Sequence, residues 1–186
     1  MSSEYVLPRP LEAVTWDDLQ AIPDEAHHHY ELIEGQILMS PSPDLRHQRS
    51  VFNLAIALRA AVSPDLEVVL SPFDFVPEPG TSLQPDVLVI RRGTAEQKRT
   101  IKAPVLAAEV LSPSSRTTDL TTKRALYARF GVEHYWIVDP AEPSIVMLRL
   151  GRAGEYLEVA TSHGDTELVV SEPVSVRITA AALLEA

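Results

Sequence analysis

Two short apolar runs constrain the fold of this chain more than any other feature. Residues 84–90 read QPDVLVI and residues 104–111 read PVLAAEVL. Runs of this length without a polar face are typical of central strands that are covered on both sides. The segment EHYWIVDP at 133–140 predicts a third strand of the same kind. The sequence therefore predicts a sheet that is packed on both of its faces.

Two segments with helical periodicity are suited to cover such a sheet. The segment at 45–62 ends before Pro64 and places four apolar residues at helical spacing: Val51, Leu54, Ala55 and Leu58. The segment at 115–132 predicts a second helix, which ends at Gly131, because glycine is typical of the residue that follows a helix.

The remaining segments predict a short helix and several strands. Thr15 and Asp18 form an imperfect capping-box pattern, which predicts a helix that stops at Pro23. The other elements are a strand or hairpin around Gly35 at 29–43, a strand with an irregular middle at 66–80, a charged surface connection at 91–103, a hairpin at 143–161 that turns at Gly151–Gly154, and a strand pair with a terminal helical turn in the tail. This order predicts one α/β or α+β domain, residues 1–186, with a mixed sheet.

Composition excludes several classes of protein. Cysteine is absent, which excludes disulfides, thiolate metal sites and cysteine nucleophiles and fits a reducing cytoplasm. No apolar run is long enough to span a bilayer and no secretory signal is visible, so we expect a cytoplasmic protein without membrane contact. P-loop, GxGxxG and GxSxG motifs are missing. The histidine triplet His27–His29 lacks metal-site spacing and is interpreted as surface.

The charge distribution is uneven. The net charge of −10 argues against a strong nucleic-acid binder. Residues 86–131, however, contain nine Lys and Arg against four Asp and Glu, which leaves a local charge of +5 and −15 on the remainder. This segment is either a binding face or a solvated patch.

Glu109 is the one charged residue in the run at 104–111. In an extended chain it shares a face with Val105, Ala107 and Leu111, whereas the other face carries Leu106, Ala108 and Val110. Both faces are apolar, so we expect Glu109 near a core, where an unpaired carboxylate is costly. Taken alone, it indicates a buried ion pair or a satisfied polar residue at the strand end.

Asp86 offers a second carboxylate at the start of the other central strand. Neighbouring strands lie roughly 4.8 Å apart, so pairing of the two strands can bring Asp86 and Glu109 onto one divalent cation. Two oxygen ligands suit Mg²⁺ or Mn²⁺, which keep water in their other positions. Without Glu109, Asp86 would be interpreted as a strand-entry cap.

Lys123 in the second helix supplies a cation. Leu120, Tyr127 and Phe130 mark an apolar stripe that also includes Lys123, and Asp119, Lys123 and Tyr127 stack at four-residue steps. In one interpretation the ammonium is directed at the carboxylate pair, where it orients the attacking water or stabilises charge on the phosphate. In the other, the aliphatic stem of Lys123 covers apolar surface while the ammonium reaches water.

Asp86 in PDVLVI, Glu109 in AAEVLSPSS and Lys123 in DLTTKRALYARFGVEHYWIVDP together resemble the Uma-two family of restriction-endonuclease-like proteins, within the PD-(D/E)XK nuclease superfamily. The resemblance runs from YELIEGQI at 30–37 to YWIVDP at 135–140. It implies a restriction-endonuclease-like core, a central mixed four-stranded sheet flanked by helices, with additional N-terminal and C-terminal strands. It also implies that Asp86 and Glu109 bind Mg²⁺ or Mn²⁺.

The resemblance includes one departure and adds further residues. The usual lysine of the superfamily stands two residues after the acid, where this chain has Leu111, and the resemblance implies that Lys123 replaces it from the helix. It also points to Glu31 as a third acid, to Gly35 and to His47.

Each of the additional candidates has an alternative interpretation. Glu31 on an alternating strand is more commonly exposed, and His47 near a helix start is as well explained as a capping or surface residue. Ser112 and Ser114 either contact phosphate or close the strand. The candidate supporting or substrate-contacting residues are therefore four: His47, Ser112, Asp119 and Tyr127. Tyr127 also fits a simple core position.

These observations predict a metal-dependent endonuclease that hydrolyses DNA phosphodiester bonds. The alternative is a non-catalytic domain of the same fold that binds DNA or a protein partner, which the net charge of −10 and Leu111 favour. A homodimer is expected by analogy, because nucleases of this superfamily that cut both strands often pair.

Overall fold

The computed structural model describes residues 13–22 and 29–185. Pro23, where the first helix was predicted to stop, and two members of the histidine triplet, His27 and His28, lie outside the described residues. The helical elements are α1 (Trp16–Gln20), α2 (Leu45–Ala61), α3 (Arg116–Thr118), a π-helical turn (Asp119–Lys123), α4 (Arg124–Arg129) and a 3₁₀ turn (Ala182–Leu184). The strands are β1 (His29–Ile33), β2 (Gln36–Ser40), β3 (Leu66–Leu70), β4 (Asp74–Glu78), β5 (Thr81–Leu83), β6 (Val87–Arg91), β7 (Arg99–Thr100), β8 (Leu106–Val110), β9 (His134–Asp139), β10 (Ser144–Leu150), β11 (Tyr156–His163), β12 (Leu168–Val170) and β13 (Val176–Ile178).

The main sheet has six strands in the order β11-β10-β9-β8-β6-β3. Strands β8 and β9 are parallel, and every other neighbouring pair is antiparallel. The predicted mixed α/β class is confirmed, but the predicted count of four strands is wrong for this sheet. In the C-terminal hairpin, β10 pairs with the edge of β9 and satisfies its backbone groups, and β11 then pairs with β10.

A second sheet of five strands has the order β2-β1-β5-β4-β7. It begins with the predicted hairpin around Gly35, whose two-residue turn has positive φ at both Glu34 and Gly35, as type I′ hairpins require. The segment at 66–80, predicted as one irregular strand, is divided between the sheets, with β3 in the main sheet and β4 in the second. Its irregular middle contains a cis Ser71–Pro72 bond. The charged connection at 91–103 contributes the short strand β7, which pairs with β4.

Helices cover the main sheet on both faces. On one face, α2 buries Leu54, Ala55 and Leu58 against a core that contains Leu106, Ala108, Val110 and Trp136. On the other face, the segment from α3 to α4 packs Leu126 and Tyr127 against Ala107, Leu111 and Tyr135. Glu109 therefore shares its face with Ala107 and Leu111, as predicted, although Val105 packs with the opposite core. None of the described helices is both long and apolar enough to cross a membrane.

The helix after β8 differs from the predicted stripe in one respect. Lys123 and Tyr127 are buried, but Leu120 is 37% exposed, and Asp119 is buried instead. The reason is the π-helical turn, in which hydrogen bonds join residues five apart, so that residues three apart no longer share a face. Two charged side chains are thereby directed towards the sheet, where they need partners.

Candidate active site

The candidate site lies in a cleft where the two sheets meet. Glu31 from β1, Asp86 at the entrance to β6, Glu109 from β8 and Lys123 from the π-helical turn all line this cleft, which has a volume of about 500 Å³. The first residues of α2 form one wall, and the residues that follow β8 form another. The cleft therefore brings together the four residues that were predicted to be catalytic.

Lys123 is the centre of a buried ion-pair cluster. Its Nζ lies 2.9 Å from Glu31 Oε2, 3.0 Å from Glu109 Oε1 and 3.2 Å from Asp119 Oδ1. None of these four residues is more than 5% exposed. Asp119 Oδ1 is buried and has no partner with hydrogen-bond geometry among the described residues, so its contact with the ammonium is one of charge alone. Lys123 is thus directed at buried carboxylates and not at water. Of the predicted carboxylate pair it contacts Glu109, whereas the described ion pair of Asp86 is with His47.

The cluster changes the protonation of its members. Burial disfavours the charged ammonium, but attraction from Glu109, Glu31 and Asp119 outweighs burial and raises the pKa of Lys123 well above its usual value. Burial raises the pKa of Glu109 well above normal; Lys123 opposes this rise, and the nearby acids reinforce it. Three acids beside one lysine in a buried space favour the uptake of positive charge, either a proton on Glu109 or, when Glu109 is ionised, a further cation.

Asp86 stands at the more open side of the cluster, with 20% of its side chain exposed. Its Oδ2 accepts a hydrogen bond from the Val110 main-chain N–H at 2.8 Å and lies 3.3 Å from His47 Nε2. Burial lowers the pKa of His47, but the hydrogen bond and charge of Asp86 outweigh burial, so the pKa is raised. Asp86 is therefore anchored through one oxygen.

The register of the two central strands places the two predicted metal ligands opposite one another. Val87 pairs with Ala108 in the antiparallel pair of β6 and β8, so the next position outward sets Asp86 across from Glu109. Glu109 Oε1 accepts hydrogen bonds from Lys123 Nζ and the Tyr127 hydroxyl, the latter at 2.7 Å. Among the described residues, the hydrogen bonds of Glu109 use Oε1 and that of Asp86 uses Oδ2, which leaves Glu109 Oε2 and Asp86 Oδ1 available for a ligand.

The remaining candidates occupy different positions. Tyr127 and Asp119 lie beneath the cleft; burial, followed by the charge of Glu109, raises the pKa of Tyr127 well above normal, so its hydroxyl stays a donor. His47 lines the cleft and is 8% exposed, and its main-chain N–H donates a hydrogen bond to Oδ1 of the helix cap Asp44. Ser112 also lines the cleft, and its hydroxyl bonds the hydroxyls of Ser114 and Ser115 at 3.0 and 2.9 Å. Their roles in binding or catalysis stay predictions.

Sequence reasoning missed Gln84, which contacts the site, and Asp74, which is connected to the site through Gln84. Gln84 donates its main-chain N–H to Glu31 Oε1 at 2.8 Å, and its side-chain amide bonds the buried carboxylate of Asp74. A single glutamine before Pro85 and a single aspartate in an irregular segment carry no local pattern that points to a site. Only their position between the two sheets gives them this connection.

The fold and the acidic cluster define a protein of the restriction-endonuclease-like class. The crystal structure of "a putative nuclease belonging to DUF820" from Anabaena variabilis ATCC 29413 has the same fold, with a TM-score of 0.74, 21% sequence identity, and coverage of 92% of this chain and 97% of that one. The chain belongs to the Uma2 family, described as "Putative restriction endonuclease", whose sequence model matches residues 16–182. This match confirms the resemblance found in the sequence. No curated protein matches the chain.

Proposed function

We propose that this protein is a metal-dependent endonuclease that hydrolyses phosphodiester bonds in DNA. Membership of a family described as "Putative restriction endonuclease" supports nuclease chemistry and DNA as the substrate. One observation of the site carries the proposal: Asp86 and Glu109 face each other across two paired strands, each with a free oxygen, beside a lysine that is already charged. This combination is suited to hold a cation next to a phosphate.

The donor set fits Mg²⁺ or Mn²⁺. Within residues 13–22 and 29–185, no group of three His, Asp or Glu side chains forms a complete metal-binding group. Mg²⁺ does not require one, because it commonly binds through one or two carboxylates and keeps water and substrate phosphate as its other ligands. Asp86 and Glu109 would hold the ion, which would act as a Lewis acid on the phosphate and lower the pKa of bound water.

The side chains of the cluster have separate roles in this proposal. The raised pKa of Lys123 keeps the ammonium protonated, so it donates hydrogen bonds and attracts negative charge but does not remove a proton. Its role is to orient the attacking water and to stabilise the charge that develops on the phosphate. Glu31, a third acid of the cluster, and Tyr127 hold Lys123 and Glu109 in place through their hydrogen bonds.

The described lining of the cleft carries little positive charge for contact with a nucleic-acid backbone, because its two basic side chains stand against four acids, Glu31, Asp44, Asp86 and Glu109. Arg46, in the first turn of α2, is exposed and lines the cleft, and the described lining contains no other Lys or Arg than Lys123. Such a sparse basic lining predicts weak binding that salt reduces strongly. The homodimer and the cytoplasmic location stay predictions.

The test combines metal binding with cleavage. Calorimetry with Mn²⁺ should detect a site in the wild-type protein and none in the double variant Asp86→Asn, Glu109→Gln, which keeps the size of both side chains. Asp165→Asn, at an exposed position away from the cleft, is the matched control and should bind as wild type does. Plasmid and single-stranded DNA at low salt serve as substrates. Equal Mn²⁺ binding by the double variant would refute the assignment of the ligands.

The rival is a non-catalytic domain that binds DNA or a protein partner. Two observations favour it: Lys123 is already engaged by three carboxylates, and Leu111 stands where the superfamily has its lysine. Wild-type protein that binds Mn²⁺ but cleaves no DNA or RNA would decide for this rival. Cleavage that depends on Asp86 and Glu109 would decide against it.

A further inference from the structure

A connection of three residues joins the two sheets next to the site. Strand β5 of the second sheet ends at Leu83 and strand β6 of the main sheet begins at Val87, so Gln84, Pro85 and Asp86 form the whole link. Pro85 has a fixed φ and restricts the residue before it to extended conformations. The positions of Gln84 and Asp86 are therefore coupled by a stiff connection.

Gln84 is held at both its main chain and its side chain. Its N–H donates to Glu31 Oε1 at 2.8 Å, while Glu31 Oε2 contacts Lys123. Its side-chain Nε2 donates to Asp74 Oδ1, also at 2.8 Å. One residue thus links β1, β4 and the entrance to β6.

Asp74 extends this connection to the first helix of the described chain. It is only 3% exposed, and its second oxygen, Oδ2, accepts a hydrogen bond from Trp16 Nε1 at 2.7 Å. The guanidinium of Arg99 stacks on the Trp16 ring at 4.1 Å from the ring centre. A buried carboxylate with two side-chain donors is a stable anchor, because each donor satisfies one of its oxygens. The anchor is therefore formed by α1, β4 and Gln84 together.

We propose that Gln84 is a positioning residue, which acts through Asp74 and Trp16 to place Glu31 against Lys123 and Asp86 against Glu109. The part of this proposal that concerns metal affinity rests on the proposed function. The part that concerns the ion pair of Glu31 and Lys123 does not. Without the hydrogen bond between its side chain and Asp74, Gln84 would be able to shift. Glu31 would then lose the hydrogen bond from the Gln84 main-chain N–H, and Asp86, two residues along the same connection, would no longer be held opposite Glu109.

The first experiment needs no metal. Gln84→Met keeps the length of the side chain and removes its donor, and Gln97→Met at an exposed position is the matched control. The chain has three lysines, of which Lys98 and Lys102 are exposed, so acetylation by a small amine-reactive reagent in chelator can be read at each site by mass spectrometry. Acetylation of Lys123 relative to Lys102 should rise severalfold in Gln84→Met and stay unchanged in Gln97→Met.

A second variant guards against misfolding of the first. Trp16→Phe removes the Nε1–H donor to Asp74 and keeps a ring for Arg99, and Trp16 itself does not line the cleft. It should raise the relative acetylation of Lys123 in the same direction. Thermal melts identify temperatures at which every variant is fully folded. Unchanged relative acetylation of Lys123 in the folded variants overturns the proposal.

Mn²⁺ calorimetry separates this proposal from the proposed function. Gln84→Met should weaken Mn²⁺ binding by about tenfold or more, the effect typical of residues that orient metal ligands, and Gln97→Met should not. If wild-type protein binds no Mn²⁺ while the acetylation of Lys123 responds as expected, the proposed function fails and the positioning role stands. If wild type binds Mn²⁺ and Gln84→Met binds it equally well, the positioning of Asp86 is refuted.

Discussion

The Nζ of Lys123 and the Oε2 of Glu31 lie 2.9 Å apart and join the helical segment after β8 to the first strand of the other sheet. Both side chains are buried, at 4% and 5% exposure. A buried ion pair of this kind is costly to break from one side, because the remaining charge stays desolvated. The two sheets are therefore held together at the candidate site by charge as well as by apolar packing.

Removal of the ammonium should destabilise the protein strongly. Lys123→Met leaves three buried carboxylates without a cation, and we expect a loss of about 3–5 kcal/mol in the free energy of unfolding. Urea unfolding in chelator measures it. Lys102→Met, at an exposed position, should change stability little, and Lys123→Arg should retain more stability than Lys123→Met. Equal stabilities of Lys123→Met and Lys102→Met would contradict the buried cluster.

Neutralisation of Glu109 should stabilise the metal-free protein at pH 8. Burial and neighbouring acids raise the pKa of Glu109, so the folded state favours its neutral form, and charging it costs stability as pH rises through the folded pKa. Gln accepts the same hydrogen bonds from Lys123 and Tyr127 without that charge. Thermal melts of Glu109→Gln in chelator should show a higher Tm than wild type at pH 8. The gain should vanish at a pH below the unfolded value of about 4.3, and exposed Glu158→Gln should show none.

The pair of His47 and Asp86 should make the stability of the metal-free protein depend on pH near neutrality. The folded pKa of His47 is raised, so its contribution is fully present below the unfolded pKa of about 6.5 and is lost as pH rises through the folded value. The difference in Tm between wild type and His47→Gln should therefore shrink above pH 6.5. Burial lowers the pKa of His134, so this residue makes stability depend on pH in the opposite direction. Its contribution is the same in wild type and in His47→Gln and cancels in the difference. A constant difference from pH 6 to pH 9 would refute the effect.

Gly35 should tolerate a side chain less well than another glycine with the same backbone. Gly35 and Gly93 have φ of 80° and 77°, but an added Cβ would stand 2.7 Å from Ala13 Cβ at Gly35 and meet nothing within 4 Å at Gly93. Gly93→Ala should cost about 1–2 kcal/mol through the left-handed backbone alone. Gly35→Ala should cost clearly more, as measured by urea unfolding. Equal costs would show that the turn moves away from Ala13 freely.

Much of the fold follows from local pattern. The helix at 45–62, the hairpin around Gly35, the helix end at Gly131 and the hairpin at 143–161 are all observed near their predicted places. Each depends on periodicity, on a turn glycine or on a cap, which act over a few residues. The division of 66–80 between two sheets was not predicted, because extended residues do not reveal which distant strand they will pair with.

The candidate site was predictable to a different extent for each residue. Asp86 and Glu109 are conspicuous as acids at apolar strands, and Lys123 as a cation on a helix stripe. Glu31 was found through the family resemblance, because an acid on an alternating strand is otherwise expected in water. Gln84 was missed altogether, since a single amide beside a proline has no pattern of its own.

The sequence by itself determined the types of elements, the family and the acids that face each other across β6 and β8, because these depend on short-range periodicity and on motifs within one region of the chain. The tertiary structure alone decided that Lys123 also pairs with Glu31 and that Asp86 contacts His47. These contacts join residues from two sheets and a π-helical turn. Charge partners at such distances in sequence are set by how the layers pack, because each buried charge must find its counter-charge within the space that packing leaves.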